Sequence, residues 1–240
     1  MKIACLCNKH KTATSFGSVN CPVKSFQIQT TADELVVKEM TAADCEAQVE
    51  TYKLAKFFTD NFIDGSVDPS WMRYKDPENS DCYKIQIKNM MHFIHHVFAK
   101  DDGNSTILVA RDSENNVRGG IIGCGFDEFK GLEDPKTYYI DSFAVDKAFR
   151  KNKVGTILMN KSLETTKGLF TDAILAGYNK AVPMYSKFGF KLMDISNPEA
   201  RAVFERVRKE RGDIPKYTQL MELTLDENAT RWWKRAFKNL

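Results

Sequence analysis

Tyr138-Tyr-Ile-Asp-Ser-Phe-Ala-Val145 is the stretch of sequence that decides the fold, together with the segment after it, Asp146-Lys-Ala-Phe-Arg-Lys-Asn-Lys-Val-Gly155. Aromatic and β-branched residues dominate the first part, which predicts a strand, and the polar, basic residues 146–152 predict a turn. Helical spacing then continues to Lys167. Because such a turn leaves backbone N–H groups unpaired at the positive end of a helix dipole, the pattern predicts a phosphate-binding corner.

Two motifs in this region resemble those of the GNAT superfamily of N-acetyltransferases. The family's strand-to-helix signature is an Arg or Gln, two residues, Gly, one residue, then Gly or Ala. Arg150-Lys-Asn-Lys-Val-Gly155 matches it at both ends, with Lys153 in place of the middle glycine. Further along, Asn179-Lys-Ala-Val-Pro-Met-Tyr185-Ser-Lys-Phe-Gly-Phe190 is similar to the family's Asn at a strand end, followed by Tyr and Phe-Gly-Phe. The resemblance covers roughly residues 33–225 and is strongest over 139–190.

The resemblance implies an α/β fold of GNAT type. We expect a mixed, mostly antiparallel sheet that is splayed at the coenzyme strand, with helices on both faces and an extra C-terminal helix. The expected organisation is an N-terminal arm over residues 1–32, an acetyltransferase domain over 33–226, and an amphipathic helix over 227–240 packed on that domain.

The resemblance also implies acetyl-CoA as co-substrate. In the family, the backbone of the coenzyme strand pairs with the pantetheine arm, and the amides of the following turn hold the diphosphate. Here the basic side chains of the turn add positive charge, and Asn179 would orient the coenzyme or an ordered water. The predicted coenzyme-binding residues are Phe143, Ala144, Val145, Arg150, Lys151, Asn152, Lys153, Val154, Gly155, Thr156 and Asn179.

The predicted reaction is direct transfer of the acetyl group onto a primary amine. The family places the tyrosine that corresponds to Tyr185 near the thioester sulfur, where its phenol can protonate the departing thiolate. An amine must lose a proton before it attacks, and Asp141 is the best single candidate for the base; strict alternation puts it on the face opposite Ile140 and Ser142. Glu128 and Tyr139 are the alternatives.

The acceptor stays open: an amino acid, a polyamine, a drug amine, a protein N-terminus or a lysine side chain would each fit. A competing hypothesis is a coenzyme A sensor or interaction module without turnover, because Lys153 departs from the motif and no base is obvious. Trp71 and Tyr74 are either acceptor contacts or core aromatics. A basic helix, Pro198 to Arg211, either borders the acceptor site or presents a solvated face.

Composition excludes several classes of protein. With 240 residues, of which 42% are hydrophobic and 28% charged, the chain has the make-up of a globular domain. A net charge of +3 is too small to argue for nucleic acid, and no apolar run has the length of a membrane span. The apolar run at the N-terminus is too short for a signal peptide, so we expect a cytoplasmic protein.

Cysteine and histidine patterns give no strong metal motif, and we expect no metal. The 6 cysteines are scattered, as is typical of free thiols in a reducing compartment. A zinc set at the N-terminus is weighed against a flexible or strand-forming arm. The histidines of the second long helix are expected to form a solvated or acceptor-facing edge and not a metal site. The residues concerned are Cys5, Cys7, His10 and Cys21, and then His92, His95 and His96.

The C-terminal residues 228–240 carry an apolar stripe opposite four basic residues, which predicts an amphipathic helix. Docking on its own domain is the first interpretation. A homodimer seam is the second, and binding to a membrane surface is a distant third. The expected assembly is therefore a monomer or a homodimer.

Overall fold

A computed structural model of the chain describes residues 25–29, 34–65, 80–99, 104–126, 134–210 and 218–238. Its strands are β1 (Ser25–Gln29), β2 (Glu34–Glu39), β3 (Thr106–Arg111), β4 (Val117–Phe126), β5 (Asp134–Val145), β6 (Asp172–Tyr178), β7 (Lys191–Leu192) and β8 (Thr218–Thr224). Its α-helices are α1 (Ala42–Glu46), α2 (Gln48–Gly65), α3 (Ser80–Ala99), α4 (Val154–Thr165), α5 (Val182–Ser186), α6 (Pro198–Glu210) and α7 (Trp232–Phe237).

The strands form one sheet in the order β1-β2-β3-β4-β5-β6-β8-β7. Every neighbouring pair is antiparallel except β5 and β6, which run parallel and are joined through α4. A parallel pair needs a crossover of this kind, because the chain must return to the same end of the sheet. The expected mixed, mostly antiparallel sheet is confirmed. Residues 25–29 of the predicted N-terminal arm form its edge strand.

The parallel strands β5 and β6 separate after a short paired region. Pairing joins residues 137–140 of β5 to residues 172–175 of β6, whereas β5 continues to Val145 and β6 to Tyr178. The last five residues of β5 therefore keep β4 on one side, and none of the described strands lies against their other side. This opening, which we call the notch, confirms the expected splay at the coenzyme strand.

A β-bulge lies where the notch begins. In the pairing of β4 with β5, Ile122 faces Ser142 and Gly123 faces Ile140, so that Asp141 is an extra residue on β5. A bulge bends its strand and increases the local twist, which turns the end of β5 away from β6. The bulge is thus the local cause of the notch.

Helices cover both faces of the sheet, as expected. On the first face, α2, α3, α6 and α7 contribute buried apolar side chains to one core, with Phe58, Ile94 and Trp232 fully buried. On the second face, α4 and α5 contribute to a separate core that includes Leu158 and Tyr185. Burial of each such large apolar side chain stabilises the fold by about 1.5–3 kcal/mol.

Glycines in β4 allow helices to approach it from both faces. A Cβ on Gly119 would lie 2.9 Å from Leu158 Cδ1 of α4, and one on Gly120 would lie 2.9 Å from Phe58 Cζ of α2. Real Cβ atoms do not tolerate such distances without a shift of the neighbour, so glycine is what keeps the layers close.

Several helix boundaries differ from the sequence prediction. One helix was expected from Ala42 to Phe62, but the backbone is extended at Ala47, and α2 runs on to Gly65. Thr41 caps α1 in a capping box with Asp44, as its hydroxyl predicts. The C-terminal helix begins at Trp232 and not at residue 228. Residues 226–229 form a turn instead, in which the N–H groups of Asn228 and Ala229 donate to Asp226. Within the described ranges no helix has the length and hydropathy that crossing a bilayer requires.

Candidate active site

Phe143 and Tyr185 lie side by side at the notch. Phe143 comes from the end of β5 that pairs with β4 but not with β6. Tyr185 comes from α5, which follows β6 after a short 3-10 turn. Their ring centroids are 6.2 Å apart, and Phe190 packs edge-on against Tyr185 at 6.4 Å. Pro183 lies in the first turn of α5, where a missing N–H does no harm. The fold therefore brings together residues from both predicted motifs.

Gly177 lets the ring of Tyr185 lie directly on β6. A Cβ at position 177 would be 2.7 Å from Tyr185 Cε2, which is closer than a side chain can come. Its role is a packing one that sequence reasoning missed. The only signal was a glycine near the end of a buried strand, since the partner ring is eight residues away in the chain.

The Tyr185 phenol is buried, and its burial affects its protonation. The residue is 9% exposed, and none of the described residues hydrogen-bonds to its hydroxyl. Burial disfavours the phenolate and raises the pKa of Tyr185 to about 12. The phenol is therefore protonated at neutral pH and has its proton available to a ligand.

The turn between β5 and α4 presents free backbone N–H groups. Lys151 and Lys153 have positive φ angles of 73° and 61°, and Lys153 precedes the first residue of α4. The N–H groups of residues 151–156 have no acceptor among the described residues. Arg150 Nε donates to the Val145 carbonyl at 3.0 Å, which ties the turn to the end of β5. Such a row of N–H groups at a helix N-terminus is suited to a phosphate.

A close contact holds the first turn of α4 against the notch. A Cβ on Gly155 would lie 3.2 Å from Phe143 Cζ and 3.3 Å from Val145 Cγ2, so the helix lies directly on β5. One turn before its end, Ser162 Oγ hydrogen-bonds to the buried Tyr138 hydroxyl at 2.9 Å. The helix N-terminus is thereby fixed in position beside the unpaired edge of β5.

Arg118 on β4 supports the same turn, and sequence reasoning did not identify it. Its Nη1 donates to Asp146 Oδ2 at 2.9 Å, and its guanidinium lies 5.0 Å from the centre of the Phe149 ring. Asp146 Oδ1 in turn accepts the Ala148 N–H at 2.9 Å. These contacts join strands and turn across 28 residues of chain, so no local pattern could reveal them.

Lys153 is strained where the family motif has glycine. A non-glycine residue in the left-handed region carries a penalty of roughly 1–2 kcal/mol, because its Cβ crowds the carbonyl oxygen. We therefore expect Lys153→Gly to raise the free energy of unfolding by about 1 kcal/mol. Thermal denaturation would measure it. The matched control is Lys187→Gly, where φ is −68° and no gain is expected; an equal gain at both positions would contradict this explanation.

Asp141 is the bulge residue, and strict alternation was wrong for it. Ser142 Oγ donates to Asp141 Oδ2 at 2.8 Å, so these two side chains are in contact and do not lie on opposite faces. The phase of β5 changes here: Ile140 and Phe143 both pack on the second face, although they are three residues apart. The extra residue of the bulge is the physical reason. Along β5, Asp141 is the first residue after the pairing with β6 ends.

The other predicted residues are placed as follows. Tyr139 is 1% exposed and packs against Phe126 in the core of the first face, which removes it from any contact with an acceptor. Asn179 is exposed and begins the 3-10 turn after β6. Glu128, Trp71 and Tyr74 lie outside the described residues.

A groove of about 760 Å³ lies between α2 and the end of β5. Arg150 of the turn lies in its wall. The two carboxylates that line the groove form ion pairs, Asp60 with Lys56 at 2.6 Å and Asp146 with Arg118. The lining residues are Tyr52, Lys53, Lys56, Phe57, Asp60, Asn61, Asn116, Val117, Asp146, Lys147 and Arg150.

No metal site is evident in the part of the chain that the structure describes, where no three His, Cys, Asp or Glu side chains converge. The zinc set considered at the N-terminus, Cys5, Cys7, His10 and Cys21, lies outside that part. Cys45 and Cys124 are both buried. Burial raises the pKa of the Cys45 thiol to about 12. A buried, protonated thiol is a poor nucleophile.

Comparison with known proteins identifies the family of the chain. A model of the Acetyltransferase (GNAT) family matches residues 66–190, just over half of the chain, and no curated protein sequence matches significantly. Similar solved structures include a GNAT-family acetyltransferase from Staphylococcus aureus, with 16% identity, a TM-score of 0.48, and coverage of 80% of this chain and 99% of that one. PaiA N-acetyltransferase from Thermoplasma acidophilum, solved with coenzyme A, has 11% identity, a TM-score of 0.48, and coverage of 79% and 98%.

Both motifs of the sequence fall within the matched range or at its end, and the structure places them around the notch. The chain belongs to the GNAT family of acetyltransferases, whose co-substrate is acetyl-CoA.

Proposed function

We propose that this protein transfers the acetyl group of acetyl-CoA directly onto a primary amine. The observation that carries the proposal is the arrangement at the notch: an unpaired strand edge, a row of free N–H groups beyond it, and a protonated phenol across it. These are the three things that a thioester donor requires, namely alignment, diphosphate binding and a proton for the leaving sulfur.

The residues present fit the coenzyme. Phe143, Ala144 and Val145 have a free backbone edge on the β6 side, to which an extended pantetheine arm can hydrogen-bond as a strand would. The N–H groups of residues 151–156, with the charges of Arg150, Lys151 and Lys153, would hold the diphosphate. When bound, the coenzyme supplies an activated acetyl carbon.

Two side chains are proposed for the proton transfers. Tyr185 would donate its proton to the departing thiolate, and its raised pKa keeps the phenol protonated until the sulfur leaves. Asp141 would accept a proton from the incoming ammonium, directly or through water; its position at the bulge, where the pairing of β5 with β6 ends, supports this assignment. A backbone N–H of the unpaired β5 edge would stabilise negative charge on the carbonyl oxygen, a contribution of about 2.7–4 kcal/mol for such donors.

The protein is proposed to act in the cytoplasm as a monomer or homodimer, without nucleic acid. Free thiols at Cys45, Cys82 and Cys124 support a reducing compartment. The acceptor is proposed only as a primary amine, because none of the described residues distinguishes one amine from another.

The experiment that tests the function is release of free thiol from acetyl-CoA across a panel of amines: amino acids, polyamines, aminoglycosides and peptides with a free N-terminus or lysine. Exposed Cys82 would be blocked beforehand to lower the background. We expect at least one amine to accelerate thiol release above hydrolysis. Coenzyme A binding without turnover would favour the sensor hypothesis, and absence of binding would defeat both.

A further inference from the structure

Arg235 of α7 joins the first residues of β5 and β6. These residues lie at the end of the paired region opposite the notch, which we call the closed end. Its Nη2 donates to Asp134 Oδ2 at 2.7 Å and to Asp172 Oδ2 at 3.0 Å. The same nitrogen is 3.2 Å from Thr137 Oγ1, and Nε contacts both oxygens of Asp134. One guanidinium near the C-terminus thus contacts residues 101 and 63 positions away, one on each splaying strand.

The two carboxylates depend on this cation. The side chains of Asp134 and Asp172 are 4% and 2% exposed, and both contact the same nitrogen. Burial raises the pKa of Asp172, and the Arg235 guanidinium opposes that rise. Without the cation, the two buried carboxylates would lose the group that bridges them, and they would either repel each other or take up a proton; in both cases the link between the two strands is lost.

Because the paired region of β5 and β6 is short, a contact at one end of it can affect the position of the strands at the other end. Only four residue pairs join β5 to β6, from Thr137 opposite Asp172 to Ile140 opposite Leu175. Arg235 lies at one end of that short paired region and the notch lies at the other. Gly177, on which the Tyr185 ring rests, belongs to the part of β6 beyond the pairing. A change of angle at the closed end therefore moves the Tyr185 side of the notch relative to Phe143.

We propose that Arg235 is a positioning residue, which fixes the angle between β5 and β6 and thereby sets the width of the coenzyme notch. The inference rests on the proposed function, since it assigns the notch to coenzyme A. It gives the C-terminal helix a role in coenzyme binding beyond the burial of apolar surface. Arg235 does not touch the coenzyme in this proposal; it acts through the strands.

The chain offers a matched control on the same segment. Arg231 precedes α7 and bonds to Glu222 and to Thr224 Oγ1, the latter at 2.9 Å, and both partners lie on β8. Removing its charge weakens the docking of the same helix and leaves a 6% exposed carboxylate without that partner, as in the Arg235 case. It leaves the contact between β5 and β6 intact.

The test measures coenzyme A binding by calorimetry for wild type, Arg235→Gln and Arg231→Gln, at a temperature well below every melting temperature. Thermal denaturation of the same three proteins measures their stability. We expect both variants to lose stability. Arg235→Gln should bind coenzyme A about tenfold more weakly, and Arg231→Gln should bind like wild type. Arg235→Lys, which keeps one charge, should recover part of the affinity.

Two results would overturn the proposal: Arg235→Gln with wild-type affinity, or an equal loss of affinity in both variants. If Arg235→Gln does not fold, Arg235→Lys is compared with Arg231→Lys by the same two criteria. If wild type itself binds no coenzyme A, it is the proposed function that fails, and the stability difference is then only structural.

Discussion

Replacing Tyr185 with phenylalanine is expected to slow acetyl transfer by about 10²-fold or more, the usual contribution of a general acid. Stability and coenzyme A affinity should stay close to wild type. The reason is that the hydroxyl has no hydrogen-bond partner among the described residues, whereas the ring, packed between Phe143 and Phe190, is retained. The measurement is the thiol-release rate at saturating acetyl-CoA, with calorimetry for binding.

The matched control is Tyr83→Phe. That phenol donates to Asp60 on the other face of the sheet, so its loss should leave the transfer rate unchanged while removing one hydrogen bond. An unchanged rate in Tyr185→Phe would remove Tyr185 from the chemistry. A loss that appears in binding and not in rate would make it a coenzyme contact.

The pH dependence of the wild-type rate follows from the same residue. A general acid must be protonated, and burial raises the pKa of Tyr185 from 10.0 to about 12. The protonated form therefore persists to higher pH, and the rate should not decline near pH 10 as it would with an ordinary tyrosine. A profile measured through about pH 10.5, corrected for thioester hydrolysis, tests this; a fall centred near pH 10 that Tyr185→Phe abolishes would contradict the raised value.

Gly177→Ala is expected to reduce the transfer rate by about 10²-fold, because displacing a catalytic group by an ångström has effects of that size. The added methyl would lie 2.7 Å from Tyr185 Cε2, and β6 is held to β8 by pairing, so the ring must move. Overpacking should also lower the free energy of unfolding by about 1–3 kcal/mol. The rate of thiol release measures the first effect, and thermal denaturation measures the second.

Gly125→Ala is the control for adding a methyl group to a strand glycine, since the nearest atom to its Cβ would be 3.9 Å away. It should keep both rate and stability. The double variant with Tyr185→Phe gives a further check: if Gly177→Ala acts by displacing Tyr185, the two losses should be far from additive. Additive losses would mean that Gly177 acts in some other way.

Much of the fold could be predicted because its signals are local. The strand from Tyr138 to Val145, the basic turn and the helix after it depend on residue types and spacing within 30 positions. The motif around Tyr185 is equally local, since it spans only residues 179–190. Helix boundaries were less accurate, since the break at Ala47 depends on backbone angles that the apolar spacing does not encode.

The face of Asp141 could not be predicted, because alternation assumes a regular strand and the bulge breaks it. Gly177, Arg118 and Arg235 were also missed. Each acts on a partner that is near only in the folded chain, and none belongs to a pattern that repeats along the sequence. Their functions concern the shape of the notch more than its chemistry.

The sequence alone identified the groups to which we assign the chemistry: a strand edge, a row of backbone N–H groups and a tyrosine. Each of them is predicted by a short-range pattern. Tertiary structure alone decided where those groups stand relative to one another. The angle between β5 and β6 depends on a bulge, on a pairing of four residues and on a cation from the far end of the chain. Contacts over such sequence separations arise from packing, and packing has no signature in neighbouring residues.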